Sequence, residues 1–234
     1  MIRHPQDDTL VLFDPADLFD PADVLDPADV LDPTDGEPGP APHPLAAEHG
    51  ADLRAVVAWA RAYLTRPHPE LGRRGPVCPY AQASLDRNAF LLAVQPGGGH
   101  TVASLSALLA PYRDWFLDLA PRGGPAAQST TVLVLLPGMR DAREVIDAAQ
   151  RELKDAYVGH GLMIGEFHDG PPDKAGLWNQ DFRPLRSPVP MLVIRHMVPT
   201  DLPFLISDET HLAAYRDLFG EQVPGHLRDL AGRA

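Results

Sequence analysis

The run Thr130-Thr-Val-Leu-Val-Leu-Leu136 is the clearest strand in this chain of 234 residues, because it is almost entirely apolar and rich in β-branched side chains. Three more short apolar runs predict strands, at 89–94, 162–168 and 191–196. Helical patterns lie between and after them, at 102–119, 140–158 and 208–219. This order predicts an α+β domain. We expect a small sheet of about four or more strands with helices mainly on one face, and the ferredoxin-like plait is the nearest simple model.

The N-terminal part differs sharply from the rest in charge and repetition. A six-residue Asp-Pro repeat begins at Asp14 and ends at Asp35, and residues 1–37 carry eleven acids and one base. Repeated prolines and repelling charges disfavour a packed fold. We therefore expect residues 1–44 to be a disordered acidic tail that ends in a Pro-rich linker, and residues 45–234 to form a single α+β domain, which starts with a helix at 52–64.

Composition excludes several classes of function. The chain has a formal charge of −12 and no basic stripe with interleaved aromatic residues, so nucleic-acid binding is not expected. It has no apolar run of 18 residues, so we expect a cytoplasmic protein without a membrane partner. A single cysteine excludes an internal disulfide and a multi-cysteine zinc site. A homodimer remains open.

The single cysteine lies in the segment Gly75-Pro-Val-Cys78-Pro-Tyr80. Proline suits the first position of a helix, so we expect a helix from Pro79 with Cys78 as its N-cap. Free N–H groups and the helix dipole would then stabilise a thiolate, which is both a nucleophile and a metal ligand. The alternative is that Cys78 is packed as a small apolar residue.

The long Pro- and Gly-rich loop at 169–190 is a second candidate region, because loops of this length are uncommon unless they are functional or disordered. We expect it to cover a pocket beside the sheet, with Trp178 or Phe182 as the apolar wall and Arg183 or Arg186 turned inward. Buried arginines need a carboxylate partner. The Arg73-Arg74 pair before Cys78 is either a further anion contact or a solvated part of a loop.

Three ionisable residues near strand ends complete the candidate set. Glu166 and His168 lie in one predicted strand, and we expect them to point to opposite faces, so that at most one enters a given pocket. His196 ends the last strand, where it and Arg195 should face opposite sides. Each histidine is either a proton-transfer group or a hydrogen-bonded structural residue.

Several motifs within residues 66–219 occur together with these predicted elements. They are Gly75-Pro-Val-Cys78-Pro-Tyr80, Leu109-x-x-Tyr112, Gly165-Glu-Phe-His168, Phe182-Arg-Pro-Leu-Arg-Ser-Pro-Val-Pro190 and Ile194-Arg-His-Met197. The combination resembles an uncharacterised actinobacterial domain family of unknown function. More distantly, the order of elements resembles that of the YqcI/YcgG-type haem proteins and the cycloserine-pathway haem protein.

The distant resemblance implies a haem-dependent N-oxygenase of specialised metabolism, acting on a small amino-acid-like or guanidine substrate. It implies haem b as cofactor, with Cys78 as the iron ligand. A thiolate ligand favours O–O cleavage. The other expected roles are propionate contacts from Arg73, Arg74, Arg183 and Arg186, an apolar wall from Trp178 and Phe182, proton transfer by His168 or His196, and substrate orientation by Glu166.

Three alternatives stay open from the sequence. Haem could be ligated by His168 or His196 while Cys78 is only packed. The protein could be a non-catalytic small-ligand-binding or partner protein of a biosynthetic cluster. It could also be a transferase with Cys78 as nucleophile and a histidine as base.

Overall fold

The computed structural model describes residues 1–19, 43–171, 174–220 and 225, and its α+β class is the predicted one. The strands are β1 (Ile2–Arg3), β2 (Val11–Leu12), β3 (Phe90–Val94), β4 (Thr131–Leu135), β5 (Leu162–Phe167) and β6 (Met191–His196). The helices are α1 (Pro44–Trp59), α2 (Ala81–Asp86), α3 (Val102–Leu119), α4 (Arg143–Gly159) and α5 (Glu209–Phe219). The sequence also predicts a final short helix at 223–230, and of this range only residue 225 is among the described residues.

Four strands form the central mixed sheet, in the order β3-β4-β6-β5. β3 and β4 are parallel, with Leu92 opposite Leu133, and the β4–β6 and β6–β5 pairs are antiparallel. The crossover through α3 therefore joins two neighbouring strands. In a ferredoxin-like plait the βαβ unit is split by an intervening strand, so the sheet departs from that model while keeping the predicted number of strands.

Helices cover both faces of this sheet, whereas we expected them mainly on one face. One face packs on α3 and α4 through residues such as Leu109, Ile146 and Ile194. The other packs on α1 through Leu53, Val57 and their neighbours. The physical reason is in the strands, since every residue of β3 is buried and a strand buried on both faces needs a layer on each side.

The first residues of the chain are part of the domain, contrary to the expectation of a disordered tail. Leu10, Leu12 and Phe13 are buried. Phe13 pairs with Leu92 at the outer edge of β3, with N–H···O distances of 2.7 and 2.8 Å in the two directions. Residues 10–13 thus cover an edge that would otherwise present unpaired backbone groups. Most of the Asp-Pro repeat, at 20–42, lies outside the described residues.

The helix α1 differs from its predicted range in a way that affects the site. α1 begins at Pro44, inside the predicted linker, and continues beyond Trp59 as a π-helical turn, Ala60–Leu64. α3 runs through Pro111 without a break. None of the helices in the described residues is long and apolar enough to span a membrane.

Candidate ligand-binding site

A pocket of about 600 Å³ lies between the end of α1 and the long loop that follows β5. We call it the aromatic pocket. Its lining residues are Ala55, Trp59, Tyr63, His68, Glu70, Asp169, Asp181, Phe182, Arg183, Arg186, Ser187 and Pro188. This volume is in the range of small-molecule sites. The π-helical turn places Tyr63 at the pocket, and such turns are frequent at functional sites.

Four rings in contact form one wall of the aromatic pocket. Trp59 stacks on Tyr63 with ring centroids 5.8 Å apart, and His68 stacks on Phe182 at 4.7 Å. Tyr63 and His68 meet edge to face at 5.8 Å, which joins the two pairs. Phe182 and His68 come from segments more than a hundred residues apart, so the wall depends on the packing of the long loop against the segment that follows α1.

Tyr63 and His68 also fix the loop geometry by hydrogen bonds. The Tyr63 hydroxyl donates to the carbonyl of Pro184 (3.1 Å), and burial raises the pKa of Tyr63 to about 12, so this group is a neutral donor. His68 Nδ1 accepts from the N–H of Glu70 (3.2 Å). In a neutral imidazole the other nitrogen, Nε2, then carries the proton, which makes it a donor and a poor metal ligand.

Charges of both signs line the aromatic pocket. Arg183 is half-buried, and its Nη1 donates to the carbonyls of Gln180 (2.6 Å) and Phe182 (3.3 Å). The Arg186 side chain is 67% exposed and lies 3.7 Å from Asp169, which also faces Arg143 at 3.4 Å. The predicted inward arginines are therefore at the pocket, although Arg186 is largely solvated.

Trp178, Arg73 and Arg74 lie outside the lining. Trp178 is 50% exposed, and the Arg73 guanidinium lies over its ring at 5.3 Å. Arg73 donates to the carbonyls of Arg74 (3.0 Å) and Val77 (3.1 Å), while the Arg74 side chain is exposed. None of these three residues is part of the pocket lining.

Cys78 does not cap a helix, so that prediction is wrong. Residues 79–80 form a turn, and α2 starts only at Ala81 with Tyr80 as its N-cap. The Cys78 N–H donates to the carbonyl of Leu64 (2.8 Å), and its side chain is half-buried against the α1 core. Cys78 is not a lining residue of the aromatic pocket.

The charged neighbour of Cys78 is Arg195, which projects from the α1 side of β6. Asp201 accepts two hydrogen bonds from the Arg195 guanidinium, at 2.7 and 2.6 Å. Burial alone would lower the pKa of Arg195, but Asp201 raises it overall, with smaller contributions from the charges of Cys78 and Tyr80. No hydrogen bond or ring contact joins Cys78 to a histidine in the described part of the chain.

Glu166 and His168 point to the same side of β5, and the expectation of opposite faces is wrong. Residues two apart on a strand share a face. His168 Nε2 and Asp147 of α4 are 2.8 Å apart, and both Glu166 and His168 are 2% exposed. Glu166 pairs with Lys174 at 3.3 Å. Burial raises the pKa of Glu166, and Lys174 offsets only part of this effect.

His196 is buried beneath the end of α3. Its Nε2 lies 2.6 Å from the carbonyl of Ala120, and its ring meets Phe116 edge to face at 5.2 Å. Burial lowers the pKa of His196, so it is a neutral structural donor. As expected from alternation, it faces away from Arg195. Cys78 is therefore on the α1 side of the sheet, while His168 and His196 are on the α3 and α4 side.

The pocket residues that sequence analysis missed are Trp59, Tyr63, His68 and Glu70. Trp59 and Tyr63 are four residues apart, a spacing that puts them on one helix face. That signal was available, but a helical aromatic pair indicates a core as readily as a site. His68 and Glu70 carried no local signal, because their role depends on contact with Phe182 and Asn179 across the chain.

The fold and the aromatic pocket define a three-layer α+β protein with a candidate small-molecule site beside its sheet. Comparison with family models matches residues 53–230 to a domain of unknown function (DUF6875). The chain belongs to this family. No curated protein sequence and no solved structure matches the chain.

Proposed function

We propose that this protein binds a flat small molecule with charged groups in the aromatic pocket. The observation that carries the proposal is the joined set of four rings, Trp59, Tyr63, His68 and Phe182, beside the half-buried Arg183. Concave sites with aromatic walls and a few polar groups are typical of small-molecule binding. The protein would act in the cytoplasm as a small-ligand-binding protein.

Trp59 is the ring at one end of the joined set and lines the pocket, so its removal tests the proposal. Losing a stacking surface costs on the order of 1.4 kcal/mol, which corresponds to about tenfold in affinity. We expect Trp59→Leu to weaken binding by about that factor. Calorimetric titration would use three probes that share a phenyl ring and differ in charge: phenylalanine, 3-phenylpropanoate and 2-phenylethylammonium.

Trp178→Leu is the matched control, because Trp178 lies outside the pocket and is half-exposed. It should leave the affinity unchanged. Melting temperatures of both variants would show that each one folds. If none of the three probes binds the natural chain, or if the two variants bind equally well, the proposed function is wrong.

Haem-dependent N-oxygenation of a small amino-acid-like or guanidine substrate is the second candidate. One observation favours it, since Arg183 and Arg186, the expected propionate contacts, both line a pocket wide enough for a flat ligand. The implied iron ligand does not fit, because Cys78 is outside that lining and no histidine predicted for proton transfer shares its side of the sheet. We therefore derive no reaction step through haem.

An absorption spectrum after haem addition tests this candidate directly. Thiolate-ligated ferrous haem with carbon monoxide absorbs at longer wavelength than the histidine-ligated form. The candidate requires this band in the natural chain and its loss in Cys78→Ser. A spectrum equal to that of free haem removes the candidate, and a histidine-type band that survives Cys78→Ser removes the thiolate assignment.

A further inference from the structure

We infer that the ligand of the aromatic pocket is a zwitterion that carries a carboxylate and an ammonium or guanidinium group on a flat apolar body. The inference rests on the proposed function and adds the charges of the ligand. It comes from the pattern of paired and unpaired charges around the pocket.

The anion-binding side is Arg183, with Arg186 next to it. Two carbonyls occupy Nη1 of Arg183, and its guanidinium forms no ion pair with any described residue. A guanidinium has five N–H donors, so donors remain for a ligand. Among the described residues, the one ion pair of Arg186 is its 3.7 Å contact with Asp169, and Asp169 also contacts Arg143. A ligand carboxylate would accept the remaining donors of the half-buried Arg183, with the more exposed Arg186 beside it.

The cation-binding side is formed by Glu70 and Asp181. Both residues line the pocket and are solvent-exposed, and neither carboxylate forms an ion pair in the described ranges. Their backbones are held in place, because Asn179 donates to the carbonyl of Glu70 (2.8 Å) and its side-chain oxygen accepts from the Asp181 N–H (3.1 Å). Asp169, the third acid, is already compensated by two arginines. Two acidic residues without an ion-pair partner among the described residues therefore line the same pocket as Arg183.

A ligand with one charge would satisfy only one of these sides. A simple anion at Arg183 would lie beside Glu70 and Asp181 and would be repelled by them, and a simple cation would meet Arg183 and Arg186. Discrimination of this kind depends on the repulsive groups as much as on the attractive ones. A zwitterion meets both sides, while its flat body packs on the half-buried rings of Trp59 and Tyr63.

Calorimetric titration with the same three probes tests the inference. Phenylalanine should bind at least tenfold more tightly than 3-phenylpropanoate and 2-phenylethylammonium. Glu70→Gln combined with Asp181→Asn should remove the preference over 3-phenylpropanoate. Arg183→Met should remove the preference over 2-phenylethylammonium. As a control, Glu152→Gln on the exposed side of α4 should leave all three affinities unchanged.

The outcomes separate the inference from the proposed function. Binding of a singly charged probe as tightly as phenylalanine overturns the zwitterion, and the pocket remains a ligand site. The zwitterion is also overturned if Glu70→Gln combined with Asp181→Asn keeps the natural preference for phenylalanine over 3-phenylpropanoate. If no probe binds, both fail. Melting temperatures of the variants would establish that an altered affinity does not come from unfolding.

Discussion

A chain that begins at Pro44 should melt about 10 °C or more below the full-length protein. Five apolar side chains of the N-terminal segment are buried: Leu10, Val11, Leu12, Phe13 and Leu18. Burying such side chains contributes roughly 1.5–3 kcal/mol each, against a total stability of about 5–15 kcal/mol. In a protein of this size, about 1 kcal/mol corresponds to roughly 2–4 °C in melting temperature. Thermal unfolding followed by circular dichroism would measure the difference.

Single substitutions locate the effect within this segment. Phe13→Ala should cost about 3–5 kcal/mol, because Phe13 is 1% exposed and packs in the α1 core beside Leu92. Ile2→Ala is the matched control, since Ile2 is partly exposed in the same hairpin and should change stability little. A truncated chain with the melting temperature of the full protein would show that residues 10–13 do not pack on β3 in solution.

Glu166→Gln should release the loop after β5 without lowering the global stability. The chain has only two lysines, Lys154 and Lys174, so a protease specific for lysine has only two sites. Lys154 is within α4 and donates to the carbonyl of Phe204 (2.8 Å), which protects it in the folded state. Lys174 pairs with Glu166 across 3.3 Å. Without this partner we expect cleavage after Lys174 to become about tenfold faster, the effect of about 1.4 kcal/mol of local stability.

The titration of Glu166 determines whether Glu166→Gln raises or lowers the global stability at a given pH. Burial raises the pKa of Glu166, so the folded state keeps its proton to higher pH than the unfolded state. The stability from this group is therefore present at low pH and is lost as the pH rises through the raised pKa. Glutamine avoids this loss, so the melting temperature of Glu166→Gln relative to the natural chain should rise from pH 4 to pH 8.

Glu152→Gln is the control for this second prediction as well, because Glu152 is exposed on α4 and should alter neither cleavage nor melting. Unchanged cleavage after Lys174 in Glu166→Gln would show that the ion pair does not hold the loop. A lower melting temperature of this variant at neutral pH would show that the pair with Lys174 outweighs the cost of burying the carboxylate.

Local patterns alone were enough to predict most of the elements. The strands at Phe90–Val94, Thr131–Leu135 and Met191–His196, and the helix at Glu209–Phe219, lie within a few residues of their predicted ranges. Each is encoded by the alternation or helical spacing of neighbouring side chains, which needs no distant partner. The same alternation places Glu166 and His168 on one face, so that error came from counting and not from missing information.

The contacts between these elements were decided only by the tertiary structure. Residues 10–13 carry no periodic signal: Val11 and Leu12 pair with β1, and Phe13 pairs with Leu92 because the open edge of β3 offers it backbone partners from a distant part of the sequence. The aromatic pocket arises in the same way, since the Tyr63 hydroxyl meets the carbonyl of Pro184 and His68 stacks on Phe182. Cys78 is not the predicted N-cap, because residues 79–80 form a turn and α2 begins only at Ala81. Helical and strand patterns depend on residues up to about four positions apart, whereas these contacts depend on how the completed layers pack.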